Sequence, residues 1–259
     1  VTVISSTANP KVRWVKRLQS ERREREAQGL FVVEGIRLVR EAAAARAGAR
    51  LVLHDGHLGP QERSLINALA RLGAEVEQGS EAVLRACSDT KGPPGLLAVL
   101  EQPRLAWPER PGLVLVLDRI ADPGNLGAML RTARAAGVEA ALLIEGSVDA
   151  YNPKVVRGAM GAHFTLPQRP ATAGEALGLV KGMRMYVADA RKGVAYDQVA
   201  WQGSLALVVG GEARGADELW GTAGGQAVHI PMAEGTESLN TSVAAGILLF
   251  EIRRRRGGA

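Results

Sequence analysis

The stretch LVLVLD, residues 113–118, carries no polar side chain before its last position. A strand with one face in water alternates apolar and polar residues; an unbroken apolar run predicts a strand buried on both faces. Such strands belong to parallel sheets, where the crossover helices supply both covers. The chain beyond it keeps that rhythm. Positions 124–136 read as a helix, 140–145 as a strand, 152–161 as a helix, 163–167 as a strand, 173–182 as a helix and 185–190 as a strand. LALVVGGE (205–212) and AVHIP (227–231) complete the strands, and 240–256 is the last helix. The expected fold class is α/β, a mostly parallel sheet with helices on both faces.

A smaller α/β domain is expected ahead of it. Residues 11–28 read as one strongly charged helix, 30–35 as a strand, 36–47 as a helix, 50–55 as a strand, 61–72 as a helix and 95–100 as a strand, with KGPPG (91–95) breaking structure before the last. EQPRLAWPERPG (101–112) holds three prolines and no periodic pattern, so it reads as a linker. The predicted division is therefore 1–100, a linker at 101–112, and 113–259, which suits a chain of 259 residues.

Composition narrows the partners. A net charge of +5 and a pI near 9.7 favour an anionic partner, with nucleic acid the leading class. Only 4% of residues are aromatic, which argues against a single-strand binder built on base stacking. Between residues 11 and 40, nine basic residues face four acidic ones, and Lys11, Arg13, Lys16, Arg17, Arg22, Arg23 and Arg37 are the candidate phosphate contacts. Cys87 is the sole cysteine, which excludes a disulfide framework and a thiolate metal cluster. The N-terminal VTVISSTANPKVRWVKR has no apolar signal core, and no run has membrane-spanning length, so a cytoplasmic soluble protein is expected. His54, His57, His163 and His229 show no metal-ligand spacing; no metal is expected, and His54 and His57 flank a loop within reach of RNA. Arg253–Arg256 complement the C-terminus of the last helix.

Ligands of open α/β sheets bind beyond the carboxyl ends of strands, which directs attention to four turns. In DRIADPGNLGAMLRTARAAG (118–137), Asp122-Pro123-Gly124 is a tight turn, with Asn125 at the expected N-cap and Arg131 on the second helical turn. Gly127 inside that helix costs roughly 1 kcal/mol against alanine. Neither GxGxxG nor GxxxxGK[ST] is present. LVVGGEARGADELW (207–220) sets a glycine pair and Glu212 at a strand end, where a flat ligand can lie on bare backbone. In IPMAEGTESLNTSVAAG (230–246), Pro231 ends sheet pairing, Ser238 and Asn240 come to the mouth of a site, and Leu239 covers an apolar ligand. Apolar walls with a few backbone donors and acceptors suit an adenine-like ring.

Together these three segments resemble the SpoU/TrmH ribose methyltransferases of the SPOUT superfamily, and the N-terminal ANPKVRWVKRL and EREAQGLFVVEGIRLVREA resemble the substrate-binding domain of many members. The resemblance implies S-adenosylmethionine as cofactor, a C-terminal trefoil knot and a homodimer through the catalytic domain. It places Asn125, Arg131, Glu212, Ser238 and Asn240 on catalytic positions, and Gly210, Ile230 and Leu239 on cofactor contacts, joined by Ala188, Asp189, Gly211 and Met232. Ala213 stands where many relatives carry glycine, and Thr241 where valine is frequent.

The implied reaction is methyl transfer to a ribose 2′-hydroxyl of RNA, with 23S ribosomal RNA favoured over transfer RNA. A ribose hydroxyl is a weak nucleophile that must be polarised or deprotonated. Arginine stays protonated, so gripping a substrate phosphate is the economical role for Arg131, with a direct base role left open. A noncatalytic RNA-binding or ribosome-assembly protein, and a base methyltransferase, are the alternatives from other classes. Cys87 lies outside the proposed site and reads as a packed residue.

Overall fold

The computed structural model describes residues 3–212 and 214–257. The chain divides into two compact units, one reaching Arg104 and adding Asp149–Phe164, the other holding Leu105–Val148 and the chain from Thr165. The first boundary falls within the proline-rich stretch 101–112.

The first unit runs β1 (Val3–Ile4), α1 (Pro10–Ser20), α2 (Arg22–Gln28), β2 (Leu30–Glu34), α3 (Ile36–Ala44), β3 (Ala49–His54), α4 (Pro60–Arg71), β4 (Glu75–Gly79), α5 (Glu81–Cys87) and β5 (Leu96–Glu101). Its five-stranded sheet has the order β1-β4-β3-β5-β2. β1, β4 and β3 are parallel, while β5 runs antiparallel to both β3 and β2, making the sheet mixed. Alternation along the strands feeds two cores: Phe31, Val33, Val52 and Ala98 pack on one face, and Leu30, Val32, Leu51 and Val99 on the other.

Two expectations fail in this unit. The single helix over 11–28 is two helices, broken at Glu21, whose backbone is extended. The cause is buried Arg25: its Nη1 donates to the carbonyls of Leu18 at 2.7 Å and Gln19 at 3.1 Å, satisfying the groups that end α1. Its Nε and Nη2 donate to Asp149 Oδ2 at 2.8 and 2.7 Å, which also removes Arg25 from any surface role. The strand expected over 163–167 is instead a 3-10 turn, Ala162–Phe164, because His163 and Phe164 turn into the aromatic cluster around Phe31 and Tyr151. β4 and α5 had no counterpart in the sequence reading; β4, EVEQG, has a single apolar side chain, so it lacks the apolar signature of a strand.

The second unit contains β6 (Leu113–Asp118), α6 (Pro123–Ala136) and β7 (Ala140–Ile144). α7 (Pro153–Ala159) then belongs to the first unit. The chain continues with β8 (Gln168–Ala171), α8 (Ala173–Leu179), β9 (Arg184–Asp189), β10 (Val194–Ala195), β11 (Leu205–Gly210), α9 (Glu218–Thr222), β12 (Gln226–His229) and α10 (Thr241–Arg255). All adjacent pairs of its seven-stranded sheet, β10-β12-β9-β11-β6-β7-β8, are parallel. Every residue of β6 and β11 is buried, as the run LVLVLD requires. α6 and α10 lie side by side with the same polarity: Asn125 meets Asn240 at one end, and Arg253 Nη1 donates to the Ala135 carbonyl at the other. Among the described residues, no helix is long and apolar enough to cross a membrane.

Candidate active site

The site is built where β6, β9, β11 and β12 end. Asp118, the last residue of β6, is almost fully buried, and its Oδ2 accepts from Trp220 Nε1 at 2.9 Å and the Asp217 amide at 2.7 Å. This carboxylate anchors the turn after β11. The two glycines at the end of that strand are required by protein backbone. A Cβ on Gly210 would lie 2.0 Å from the backbone of Gly215 and Ala216, and one on Gly211 would lie 2.6 Å from the Arg119 carbonyl. The space on the Cβ side of each glycine is thus filled by the protein's own chain, while both glycines line a cavity.

Two cavities adjoin. The larger, about 380 Å³, is walled by Val209, Val228, Ile230, Leu239 and Leu248, with the Gly210–Gly211 backbone along one edge. The smaller, about 240 Å³, is lined by the side chains of Arg119, Asp122, Asn125 and Arg214 together with Ile120 and Ala121. Gly211, Glu212, Gly215 and Thr241 line both. At this shared wall, Glu212 Oε1 accepts from Asn125 Nδ2 at 2.6 Å and Asn240 Nδ2 at 3.0 Å. Two helix N-termini therefore converge on one carboxylate, a favourable arrangement for its charge.

The residues singled out in the sequence distribute as follows. Ala188, Asp189, Gly210, Gly211, Ile230, Met232 and Leu239 all line the larger cavity, with Glu212, Ser238 and Asn240 beside them. Asn125 and Glu212 line the smaller one. Arg131 lines neither; it is exposed on α6, about 9 Å along the axis from Asn125. Asp122 is the N-cap of α6, accepting from the Asn125 amide at 2.8 Å, so the expected capping role of Asn125 is overturned. Freed from capping, the Asn125 side chain is available to Glu212. Asn240 does cap α10, its Oδ1 accepting from the amides of Ser242 and Val243.

Asp189 uses its carboxylate on its own turn. Burial raises its pKa, but hydrogen bonds from the backbone N–H groups of Arg191 and Lys192 outweigh this and hold it below the usual range. Thr241 is a residue the sequence reading noted only as a departure. Its Oγ1 donates to the Gly210 carbonyl at 2.9 Å, a bond valine has no group to make. Arg119 and Arg214 were not singled out either, though Arg119 follows directly on the apolar strand. Ala213 lies outside the described residues.

In the first unit, Lys11, Arg13, Lys16 and Arg17 lie on α1, Arg22 and Arg23 on α2, and Arg37 at the start of α3. Lys11 is paired with Glu75 and Glu77, Arg17 with Glu24 at 3.6 Å, and Arg22 with Glu26 at 2.6 Å. Arg13, Lys16, Arg23 and Arg37 are exposed. Arg37 and His57 line a cavity of about 420 Å³ within this unit. His54 is buried at the end of β3, and burial lowers its pKa. Burial pushes the Cys87 thiol up to about 11, which suits its packed position. Among the described residues, no three His, Cys, Asp or Glu side chains are gathered as a metal site.

A parallel sheet whose strands end at a nucleoside-sized cavity with apolar walls, divided from a second pocket by a hydrogen-bonded carboxylate, is an arrangement suited to an enzyme that uses a nucleotide-like cofactor. Residues 112–250 match the SpoU rRNA methylase family, and residues 9–98 match the MRM3-like substrate binding domain. The chain belongs to the SpoU rRNA methylase family. It is 32% identical to the 23S rRNA (guanosine(2553)-2'-O)-methyltransferase RlmP of Bacillus subtilis, over 96% of this chain and 98% of that protein. It is 29% identical to the 23S rRNA (uridine(2479)-2'-O)-methyltransferase of Streptomyces viridochromogenes, over 92% and 88% of the two chains. Its structure is similar to that of an AdoMet-bound rRNA methyltransferase from Sinorhizobium meliloti, with a TM-score of 0.88, 26% identity, and 98% and 97% of the chains covered.

Proposed function

We propose that this protein transfers a methyl group from S-adenosylmethionine to a ribose 2′-hydroxyl of 23S ribosomal RNA. The observation that carries this reading is the Asn125–Glu212–Asn240 cluster at the wall shared by the two cavities. When bound, S-adenosylmethionine supplies an electrophilic methyl group. The residues present fit it: Val209, Val228, Ile230, Leu239 and Leu248 offer apolar walls for a purine nucleoside, with Ala188, Gly211, Met232 and Ser238 around them. Thr241 holds the Gly210 carbonyl in place.

The target nucleotide enters the smaller pocket. Both amides reach Glu212 Oε1, which leaves Oε2 to accept a hydrogen bond from the ribose hydroxyl and turn its lone pair toward the larger cavity. Asn125 and Asn240 hold that carboxylate in position. Arg131, exposed on α6, grips a phosphate of RNA lying across the helix rather than one inside either cavity.

In this reading residues 1–100 form the RNA-binding domain, joined by 101–112 to the catalytic domain 113–259. The exposed Arg13, Lys16, Arg23 and Arg37 support an RNA-facing role for the first. The catalytic domain forms a homodimer, supported by Val243 (51% exposed) and Phe250 (49%), which share one stripe of α10 with Ile247. A trefoil knot is favoured by strand order, since β11 lies between β6 and β9, both of which precede it in the chain. The protein acts in the cytoplasm. The test is mass-spectrometric mapping of RNA incubated with the protein and labelled S-adenosylmethionine; label confined to bases would sink the ribose assignment.

A further inference from the structure

Arg119 has a left-handed backbone, φ +57°, one of four non-glycine residues with positive φ among the described residues. That conformation is unfavourable for a side-chain-bearing residue and is more readily adopted by glycine or asparagine. The backbone contact of this turn does not require arginine, because it is the carbonyl of Arg119 that closes on Gly211. What arginine adds is a guanidinium at the smaller cavity.

That guanidinium is aimed by two carboxylates. Its Nε lies 3.2 Å from Asp118 Oδ1, and its Nη1 lies 3.0 Å from Asp217 Oδ2. Nη2 is 3.4 Å from Asp118 Oδ2. Five N–H donors are present on the fork, so these contacts leave donors directed elsewhere, and the side chain is 38% exposed. Arg214 is the second cation lining the cavity and is also exposed. The acidic groups of the same lining are engaged: Asp122 caps α6, and Glu212 Oε1 holds two amides. The cavity thus presents two guanidinium groups, beside two carboxylates already turned to amides, to whatever lies next to Glu212.

We propose that Arg119 and Arg214 form a phosphodiester clamp, binding the RNA phosphate adjacent to the ribose presented to Glu212. Arg119 is a positioning residue whose strained backbone is retained because only a planar fork, held by Asp118 and Asp217, meets the phosphate at that point. The clamp rests on the methyl-transfer reading for its choice of ligand, but it concerns RNA binding and can be measured apart from turnover.

The experiment measures binding of an unmodified 23S rRNA transcript by the full-length protein across a salt series, for wild type, Arg119→Asn, Arg119→Lys and Arg214→Ala. Asparagine tolerates the left-handed backbone, and Arg214 sits in an exposed turn, so both variants keep the fold. Arg119→Asn should weaken RNA binding about tenfold and reduce the slope of log Kd against log salt by about 0.7. Affinity for S-adenosylmethionine should stay within about twofold. Arg214→Ala should lower the slope similarly, and Arg119→Lys should restore the slope but only part of the affinity. Wild-type RNA affinity and slope in Arg119→Asn would overturn the clamp, even with a lowered Tm, since that pattern assigns Arg119 only to neutralising Asp118. If the slope depends on Arg119 while methyl label is found on bases alone, the clamp stands and the ribose reading fails.

Discussion

Asn240 Nδ2 donates to Asn125 Oδ1 at 3.1 Å, tying the N-terminus of α10 to that of α6 across 115 positions of sequence. Both amides also reach Glu212 Oε1, so the three side chains form a closed triangle. Glu212→Ala should therefore lower methyl transfer about 100-fold, because the site loses its positioning acceptor. Asn125→Ala and Asn240→Ala should each cost less, and their double variant less than the product of the two. Single-turnover methylation of the set measures this, and strictly multiplicative losses would show that the triangle does not act as a unit.

Arg131→Ala should abolish most methyl transfer while leaving S-adenosylmethionine affinity unchanged, since Arg131 lines neither cavity. Thermal stability should move by no more than about 0.5 kcal/mol, as expected for an exposed helical side chain. Wild-type turnover in the variant would remove Arg131 from the reaction.

Gly210→Ala should disable cofactor binding without altering a polar side chain. The added methyl would sit 2.0 Å from the backbone of Gly215 and Ala216, so the turn that carries Glu212 must move. Calorimetry should register at least a tenfold weaker affinity for S-adenosylmethionine. Retained affinity would mean that the turn relocates without disturbing the cavity.

Val243→Asp combined with Phe250→Asp places two charges on the exposed stripe of α10. The proposed dimer should dissociate, read as a halved mass in sedimentation. A wild-type protein that sediments as a monomer, or a variant that remains dimeric, would move the interface off this face.

Acid should weaken the fold through His163. The unfolded imidazole binds a proton near pH 6.5, whereas burial pushes the folded value down to about 4, despite the Ala150 carbonyl at 2.7 Å and nearby Asp149. Between those values the unfolded chain holds more protons, so stability falls as pH drops from 6.5 to 4 and this group adds no further loss below. The interval is worth roughly 3 kcal/mol. His54, also lowered by burial, acts in the same direction. Denaturant unfolding at several pH values should show a shallower acid slope in His163→Phe; an identical slope would place the sensitivity elsewhere.

By itself the sequence determined the parallel architecture of the second unit, because LVLVLD, AALLIE and LALVVGGE are too apolar to be anything but doubly covered strands. It also determined which turns to inspect, since chemistry gathers beyond the carboxyl ends of such strands. Only the tertiary structure decided what the local signals left open. Asn125 looked like a cap, yet capping fell to Asp122, because which of two neighbouring polar groups reaches a free amide depends on backbone geometry that spacing does not encode. The glycine pair looked like room for a ligand, and both residues do line the larger cavity, yet glycine is demanded there by Arg119 and Gly215, which non-local packing brings against the pair. The segment Asp149–Phe164 reads as part of the alternating sheet, yet it packs with the first unit, where Asp149 meets buried Arg25 and Phe164 meets Phe31. Periodicity reports whether a residue is buried; the partner it is buried against is set by contacts between distant parts of the chain, and those exist only once the chain has folded.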